Sequence, residues 1–116
     1  MENFLITEDY IHLDNGILEY YFDDDCAVVN QISVGRTGEG IGSALVERLE
    51  QLAIEENISF IEVPISPTKQ TLIFWQKKGY QLQNPDDNYL VQKLLNSSYE
   101  GHFETTQGVF VAYKNL

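Results

Sequence analysis

The clearest periodic pattern in the chain lies between residues 40 and 57. Apolar side chains recur there at steps of three and four, while charged and amide side chains fill the intervening positions. Asn57 ends the pattern, and asparagine tolerates the left-handed conformation that closes many helices. The sequence therefore predicts an amphipathic helix over residues 40–57, whose buried stripe consists of Ile41, Leu45, Leu49, Leu52 and Ala53.

Runs of β-forming residues flank this helix. Residues 17–22 and 26–34 are separated by three consecutive aspartates, which predicts an antiparallel hairpin. The Asp14-Asn15-Gly16 triplet predicts a turn just before it, and no clear pattern precedes that turn. Residues 59–65 predict a further strand. A strand, a helix and a strand in direct succession favour parallel pairing with a right-handed crossover.

The C-terminal half predicts shorter elements. A second helix is expected over residues 66–78, with Pro67 in its first turn and Gly79 ending it. Residues 80–83 and 89–95 then suggest a last hairpin, and residues 102–105 and 109–113 suggest two more strands. We expect residues 96–116 to form a β extension, either as a hairpin at a sheet edge or as a pair across a homodimer.

Composition narrows the class of protein. A chain of 116 residues fits a single domain over 1–116, and a hydrophobic content of 43% argues against disorder. No apolar run approaches the ~20 residues of a membrane span, and the first residues do not resemble a signal peptide. Cys26 is the only cysteine, which excludes an internal disulfide and a multi-cysteine zinc site. We expect a cytoplasmic protein without a bound metal.

The charge is strongly acidic. Eighteen acidic and seven basic residues give a net charge of −11, which disfavours nucleic acid as a partner. The same charge suits a cationic amine substrate or a basic protein partner, or serves solubility alone. An anionic cofactor would need a local positive field, supplied by a helix N-terminus and a few basic side chains.

The candidate chemistry lies in the glycine-rich run at residues 35–42, between a predicted strand and a predicted helix. Glycines at 38, 40 and 42 let the backbone turn sharply and let its N–H groups approach a phosphate, and Ser43 adds a hydroxyl donor. A P-loop is excluded because its lysine is missing. A full dinucleotide-binding domain needs a longer chain. A tight turn without a ligand is the remaining alternative.

Two motifs resemble the GNAT superfamily of N-acetyltransferases. Residues 37–45 read Thr-Gly-Glu-Gly-Ile-Gly-Ser-Ala-Leu, similar to the family's Gln/Arg-x-x-Gly-x-Gly/Ala loop. Residues 71–80 resemble its Ala-x-x-Phe-Tyr-x-x-x-Gly-Phe element, and residues 90–94 its closing strand. The resemblance spans residues 17–95 and implies a mixed, mostly antiparallel α/β sheet, with a central parallel pair flanked by helices.

The resemblance also implies acetyl-CoA as cofactor and a primary amine as acceptor. By position, the pantetheine arm would lie along the strand before the loop, the pyrophosphate on the loop and first helical turn, and an aromatic ring against the cofactor. The implied cofactor-binding residues are Ile32, Ser33, Val34, Arg36, Thr37, Gly38, Gly40, Ile41, Gly42, Ser43 and Phe74.

The chain departs from the family pattern in its glycine-rich loop and at the tyrosine that often serves as proton donor. Thr37 replaces the usual Gln or Arg, Glu39 lies inside an anion-binding loop, and Trp75 replaces a frequent tyrosine. Glu62 in the second parallel strand is the candidate general base, and Tyr80 the candidate acid. These departures leave two functions open: an acetyl-CoA-dependent N-acetyltransferase, or a catalytically degenerate GNAT-like protein that binds CoA or a basic partner.

Overall fold

A computed structural model describes residues 3–35, 40–105 and 108–116. Within them, seven strands form one mixed sheet in the order β1-β2-β3-β4-β5-β7-β6, accompanied by three α-helices. The strands are β1 Leu5–Ile6, β2 Tyr10–Leu13, β3 Gly16–Asp23, β4 Cys26–Val34, β5 Phe60–Ile65, β6 Gln81–Leu82 and β7 Phe110–Asn115. The helices are α1 Ile41–Glu55, α2 Lys69–Lys77 and α3 Asn88–Leu95. The sheet is mostly antiparallel with β4 and β5 parallel, which confirms the predicted fold class.

The chain divides into two compact units. Unit 1 comprises Met1–Glu62 with Asn115–Leu116, and unit 2 comprises Val63–Lys114. The glycine-rich run and the hairpin belong to unit 1. None of the described helices has the length and apolarity required to cross a bilayer.

Unit 1 is built on an antiparallel meander from β1 to β4, against which α1 packs. The first two strands are an addition to the prediction, which found no pattern before the turn at residues 14–16. Every second residue along β2 and the first part of β3 points toward α1 and is buried, and Ile11 and Leu18 are fully buried. Gly16 belongs to the same face, and a Cβ there would lie 2.6 Å from Cγ2 of Ile41. The missing side chain therefore lets the first turn of α1 approach β3.

Helix α1 confirms the strongest periodic prediction. Leu45, Leu49 and Ala53 are fully buried, Leu52 of the predicted stripe is only half-buried, and the outward positions carry acids and amides. The helix ends because Asn57 adopts φ 60°, with its N–H donating to the carbonyl of Ile54 at 3.1 Å. Strand β5 comes next and pairs with β4 in the register Cys26↔Phe60, Ala27↔Ile61 and Val28↔Glu62.

Unit 2 confirms the second helix, which begins at Lys69 so that Pro67 lies before its cap and not in its first turn, but unit 2 does not confirm the hairpin predicted after it. Thr68 caps α2 by accepting a hydrogen bond from the backbone N–H of Thr71 at 3.3 Å, and Gly79 adopts φ 91° beyond its end. The predicted hairpin over 80–83 and 89–95 is wrong, since the second segment is helix α3. The resemblance of residues 90–94 to a closing strand fails for the same reason. Val91 and Leu94, three residues apart, are the buried side chains of that helix.

The C-terminal residues are also placed differently from the prediction. Residues 102–105 form no strand, and the N–H of Phe103 instead donates to the carbonyl of Pro67 at 2.8 Å. The strand predicted over 109–113 exists as β7. It lies between β5 and β6 in the strand order, so the expected hairpin at a sheet edge is wrong. Its Phe110 and Ala112 are each 1% exposed, which makes β7 part of the core.

Candidate functional site

Strand β4 carries a β-bulge just before the predicted cofactor-binding segment. In its pairing with β3, Tyr20 lies opposite Val29 and Glu19 opposite Gln31, so Asn30 is an extra residue in β4. Such a bulge bends a strand and increases its twist. The described ladder between β4 and β5 covers three residue pairs and ends at Val28, whereas β4 continues to Val34. The bulge therefore lies two residues beyond the end of parallel pairing.

The segment Ile32, Ser33 and Val34 comes directly after this bulge. These residues pair with Leu18, Ile17 and Gly16 of β3, which engages one edge of β4. The other edge extends past the last residue paired with β5 in the described ladder. Ser33 is exposed, and Ile32 and Val34 are half-buried. An extended edge of this kind can offer backbone N–H and C=O groups to an amide-bearing chain such as pantetheine.

Beyond β4, the chain leaves through Gly35, which the neighbouring turn holds in place. The Gly35 N–H donates to the carbonyl of Asn15 at 3.1 Å. A Cβ on Gly35 would lie 3.2 Å from Nδ2 of Asn15, so glycine permits this close approach. The predicted loop residues Arg36, Thr37 and Gly38 lie outside the described residues, as does Glu39. No local pattern in the sequence indicates that Asn15 helps to position the exit of β4.

Helix α1 begins at a left-handed glycine. Gly40 has φ 77° and ψ 6°, and its carbonyl accepts the N–H of Ala44 at 3.0 Å. A Cβ at Gly40 would meet nothing within 4 Å, so glycine is required there by conformation and not by crowding. Ile41 anchors the turn on Gly16 and is 7% exposed, which leaves its backbone as the group a ligand could use. Gly42 and Ser43 are half-buried beside it.

The donors of this first turn suit an anionic group. Helix N-terminal N–H groups and the helix dipole both favour phosphate, and no acidic residue lies in the first turn of α1. The Ser43 hydroxyl adds a donor on the same turn. The backbone N–H groups of Gly40–Ser43 are therefore suited to the pyrophosphate of CoA. The strand edge at Ile32–Val34 is suited to its amide-bearing arm.

Glu62 lies at the end of the parallel ladder. It is half-buried, pairs with Val28, and shares a face of the sheet with Cys26, because paired residues and residues two apart point the same way. Burial raises the pKa of the Cys26 thiol, and the nearby carboxylates of Glu62, Asp23 and Asp25 raise it further. A carboxylate at this point can accept a proton from an amine, which is the chemistry required of a general base.

The second family-like element forms an aromatic cluster in unit 2. Trp75 is 2% exposed and meets Phe74 and Tyr80 edge-to-face, with ring centroids 5.1 and 4.9 Å away. Tyr80 is 5% exposed, and Nζ of Lys114 lies 5.7 Å from its ring centroid. These contacts assign Trp75 and Tyr80 to packing. Proton donation by Tyr80 stays a prediction, as does contact of the half-buried Phe74 with a cofactor.

Comparison with known proteins gives one relative by sequence. No family model matches the chain. The uncharacterized protein YxbD of Bacillus subtilis is 32% identical over 68 residues, which cover 58% of this chain and 43% of that protein. The match therefore spans less than half the length of this curated relative.

Solved structures align over nearly the whole chain. The ribosomal-protein-S18-alanine N-acetyltransferase of Escherichia coli aligns with 95% of this chain and 71% of its own, with a TM-score of 0.68 and 15% identity. The PaiA N-acetyltransferase of Thermoplasma acidophilum, crystallised with coenzyme A, aligns with 92% and 60%, with a TM-score of 0.66 and 14% identity. The chain therefore has the fold of the GNAT N-acetyltransferases, which confirms the resemblance at the level of fold.

Proposed function

We propose that this protein is an acetyl-CoA-dependent N-acetyltransferase acting on a primary amine. The observation that carries the proposal is the left-handed Gly40, which opens α1 just beyond the bulged strand β4. Backbone donors for a pyrophosphate and a strand edge for an amide arm thus lie in succession along unit 1. The CoA present in a structural neighbour of the same fold supports this assignment.

In this proposal each part of the chain has a defined task. Bound acetyl-CoA would supply a thioester that the amine attacks directly, so the chain needs no nucleophile of its own. Gly40–Ser43 bind the pyrophosphate, and Ile32–Val34 align the arm. Glu62 accepts the proton that the amine loses, directly or through water. The predicted contributions of Arg36, Thr37 and Gly38 belong to the same loop.

A charged substitution in the first turn of α1 tests the proposed pyrophosphate-binding site. Ser43→Asp places a carboxylate where the pyrophosphate would lie, although an acid near a helix N-terminus favours the free protein. We expect Ser43→Asp to weaken acetyl-CoA binding at least tenfold in calorimetric titration without lowering the Tm of the free protein. Ser43→Asn has similar size but no charge and should bind within about threefold of wild type. Equal affinities for both variants would place the pyrophosphate elsewhere.

A second candidate function is binding without turnover. It is favoured by the tight packing of Tyr80 and Trp75, which leaves the proton donor unassigned. The protein would then hold CoA or a basic partner.

Thiol release from acetyl-CoA separates the two functions. Suitable acceptors are polyamines, lysine peptides and peptides with a free N-terminal alanine, the last because one structural neighbour is an S18-alanine N-acetyltransferase. We expect amine-dependent release of CoA with at least one class and acetylation of that amine by mass spectrometry. Bound acetyl-CoA without release across the panel would favour the binding protein.

A further inference from the structure

The meander exposes apolar side chains on its face opposite α1. Gly16 and Leu18 point toward α1, so residues alternating with them point away. The strand registers arrange these outward residues in four rows across the sheet, and Cys26 in the last row, with Asp23 and Phe60, is buried. We call the first three rows the open face: Leu5, His12, Ile17, Ser33; Tyr10, Glu19, Gln31; and Tyr21, Val28, Glu62.

The open face combines apolar exposure with acidic groups. Leu5 is 62% exposed and Tyr21 44%, and Tyr10, Ile17 and Val28 are half-buried. Exposed apolar side chains that share one face of several strands mark a candidate interaction surface. Its five strands span about 19 Å at a spacing of roughly 4.8 Å, wide enough for a helix of ~10 Å diameter.

Acidic residues greatly outnumber basic residues in the unit that carries the open face. Unit 1 holds 14 of the 18 acidic residues and two of the seven basic ones, Arg36 and Arg48. Within the open face, the carboxylates are Glu19 and Glu62. The β1–β2 and β3–β4 turns lie at the same end of the meander, and the acids in them and at the end of β3 are exposed: Glu8, Asp9, Asp23, Asp24 and Asp25.

The combination of apolar and acidic side chains restricts which molecules could bind the open face. A second copy of the chain would bring the same acids to the interface, and like charges oppose such a pairing. A small polyamine would satisfy the carboxylates but leave Leu5 and Tyr21 in water. A polypeptide segment carrying both apolar and basic side chains complements both features.

We infer that the open face docks a basic, partly apolar segment of a protein acceptor. Glu62 belongs to the same face, so a lysine of the docked segment would lie near the predicted general base. Only the role of Glu62 as a base toward that lysine depends on the proposed function, since docking itself requires no acetyl-CoA. The acceptor class thereby narrows from any amine to a polypeptide.

The test uses the full chain and a synthetic helical peptide with leucines on one face and lysines on the other. We expect backbone amide NMR shifts to change at Tyr10, Ile17 and Tyr21, and to stay unchanged at Ile54, a 59% exposed residue of α1. Tyr21→Ser and Leu5→Ser should each raise the peptide Kd at least about fivefold. Ile54→Ser, the matched control, should change it less than twofold. Because all three side chains are exposed, each variant should keep its Tm.

Three results would overturn the inference. One is equal weakening by all three variants. Another is equally tight binding of a twin peptide whose lysines are replaced by glutamates. The third is displacement of the peptide by spermidine at matched charge, since the carboxylates alone would then suffice. Acetyl-CoA binding, measured separately, reports on the proposed function, so either idea can fail without the other.

Discussion

The two units differ sharply in how they use charge and aromatic side chains. Unit 1 holds most of the acids, a left-handed glycine at a helix start and an open face with exposed Tyr21. Unit 2 carries four acids and five lysines, and its aromatic side chains Trp75 and Tyr80 are packed against each other. From this difference we expect ligand chemistry to be concentrated in unit 1, while the packed rings of Trp75 and Tyr80 stabilise unit 2.

The largest expected effect tests packing in unit 2. Trp75→Ala should lower the free energy of unfolding by about 3–5 kcal/mol, since removal of a large buried side chain leaves a cavity. Urea titration followed by far-ultraviolet circular dichroism measures it. Tyr89→Ala is the control, because Tyr89 is 73% exposed in the same unit and should cost less than about 0.5 kcal/mol. Similar losses in both variants would contradict the structural role of Trp75 in packing unit 2.

Proton transfer should depend on unit 1. Glu62→Gln is expected to lower kcat by roughly 100-fold or more, because it removes the proposed base while nearly conserving shape. Acetyl-CoA binding should remain within about threefold of wild type.

Tyr80→Phe tests whether unit 2 also contributes to proton transfer. It removes only the hydroxyl from a packed ring, and we expect kcat to stay within about tenfold. A loss as large as that of Glu62→Gln would assign proton donation to Tyr80 and give unit 2 a share of the chemistry.

Two glycines with matching φ angles allow backbone strain to be distinguished from ligand binding. Gly40 has φ 77° and Gly108 φ 78°, and a Cβ at either would meet nothing within 4 Å. Alanine at each position should therefore cost a similar ~1–2 kcal/mol of stability for the left-handed conformation. Only Gly40→Ala should also weaken acetyl-CoA binding, by at least fivefold in calorimetric titration. Equal affinities in the two variants would contradict the role of Gly40.

The smallest effect concerns Tyr20, which links β3 to the β1–β2 turn. Burial, followed by the charges of Asp9 and Glu8, raises the pKa of Tyr20 above 10.0. Its stabilising contribution is present below the unfolded pKa and is lost as pH rises above 10. At pH 7, Tyr20→Phe removes the hydroxyl donor to the Thr7 carbonyl at 2.9 Å and should cost about 1 kcal/mol. Denaturation at pH 8–11 should show this gap narrowing, and a constant gap would contradict the raised pKa.

Much of unit 1 could be predicted because long elements carry clear periods. Leu45 and Leu49 repeat at the helical step, and the nine residues of β4 form a β-rich run between the aspartates and the glycine loop. The bulge at Asn30 could not be predicted, since it depends on register with β3. The close approach of Gly16 to Ile41 likewise depends on tertiary packing.

Unit 2 is harder to predict because its elements are short. Tyr89 and Val91 favour strands intrinsically, yet the tertiary fold buries Val91 and Leu94 on one helical face. A signal for a helical segment was present: Asn84 before Pro85 and two aspartates is a typical helix start. The Asn84 side chain accepts the N–H of Asp86 at 3.1 Å and caps a 3-10 turn over Pro85–Asp87, which leads directly into α3. The position of β7 between β5 and β6 has no local signature, because strand order depends on contacts distant in sequence.

The most direct test of the central claim is thermal unfolding of the full chain with and without acetyl-CoA. Binding to the folded state alone stabilises by about 2.7 kcal/mol at 100 times Kd, which corresponds to a Tm increase of roughly 10 °C for a chain of this size. ADP, which carries the pyrophosphate without the pantetheine arm, should give a smaller shift at the same concentration. We expect this order of Tm values, and an unchanged Tm at millimolar acetyl-CoA would contradict the proposed cofactor site.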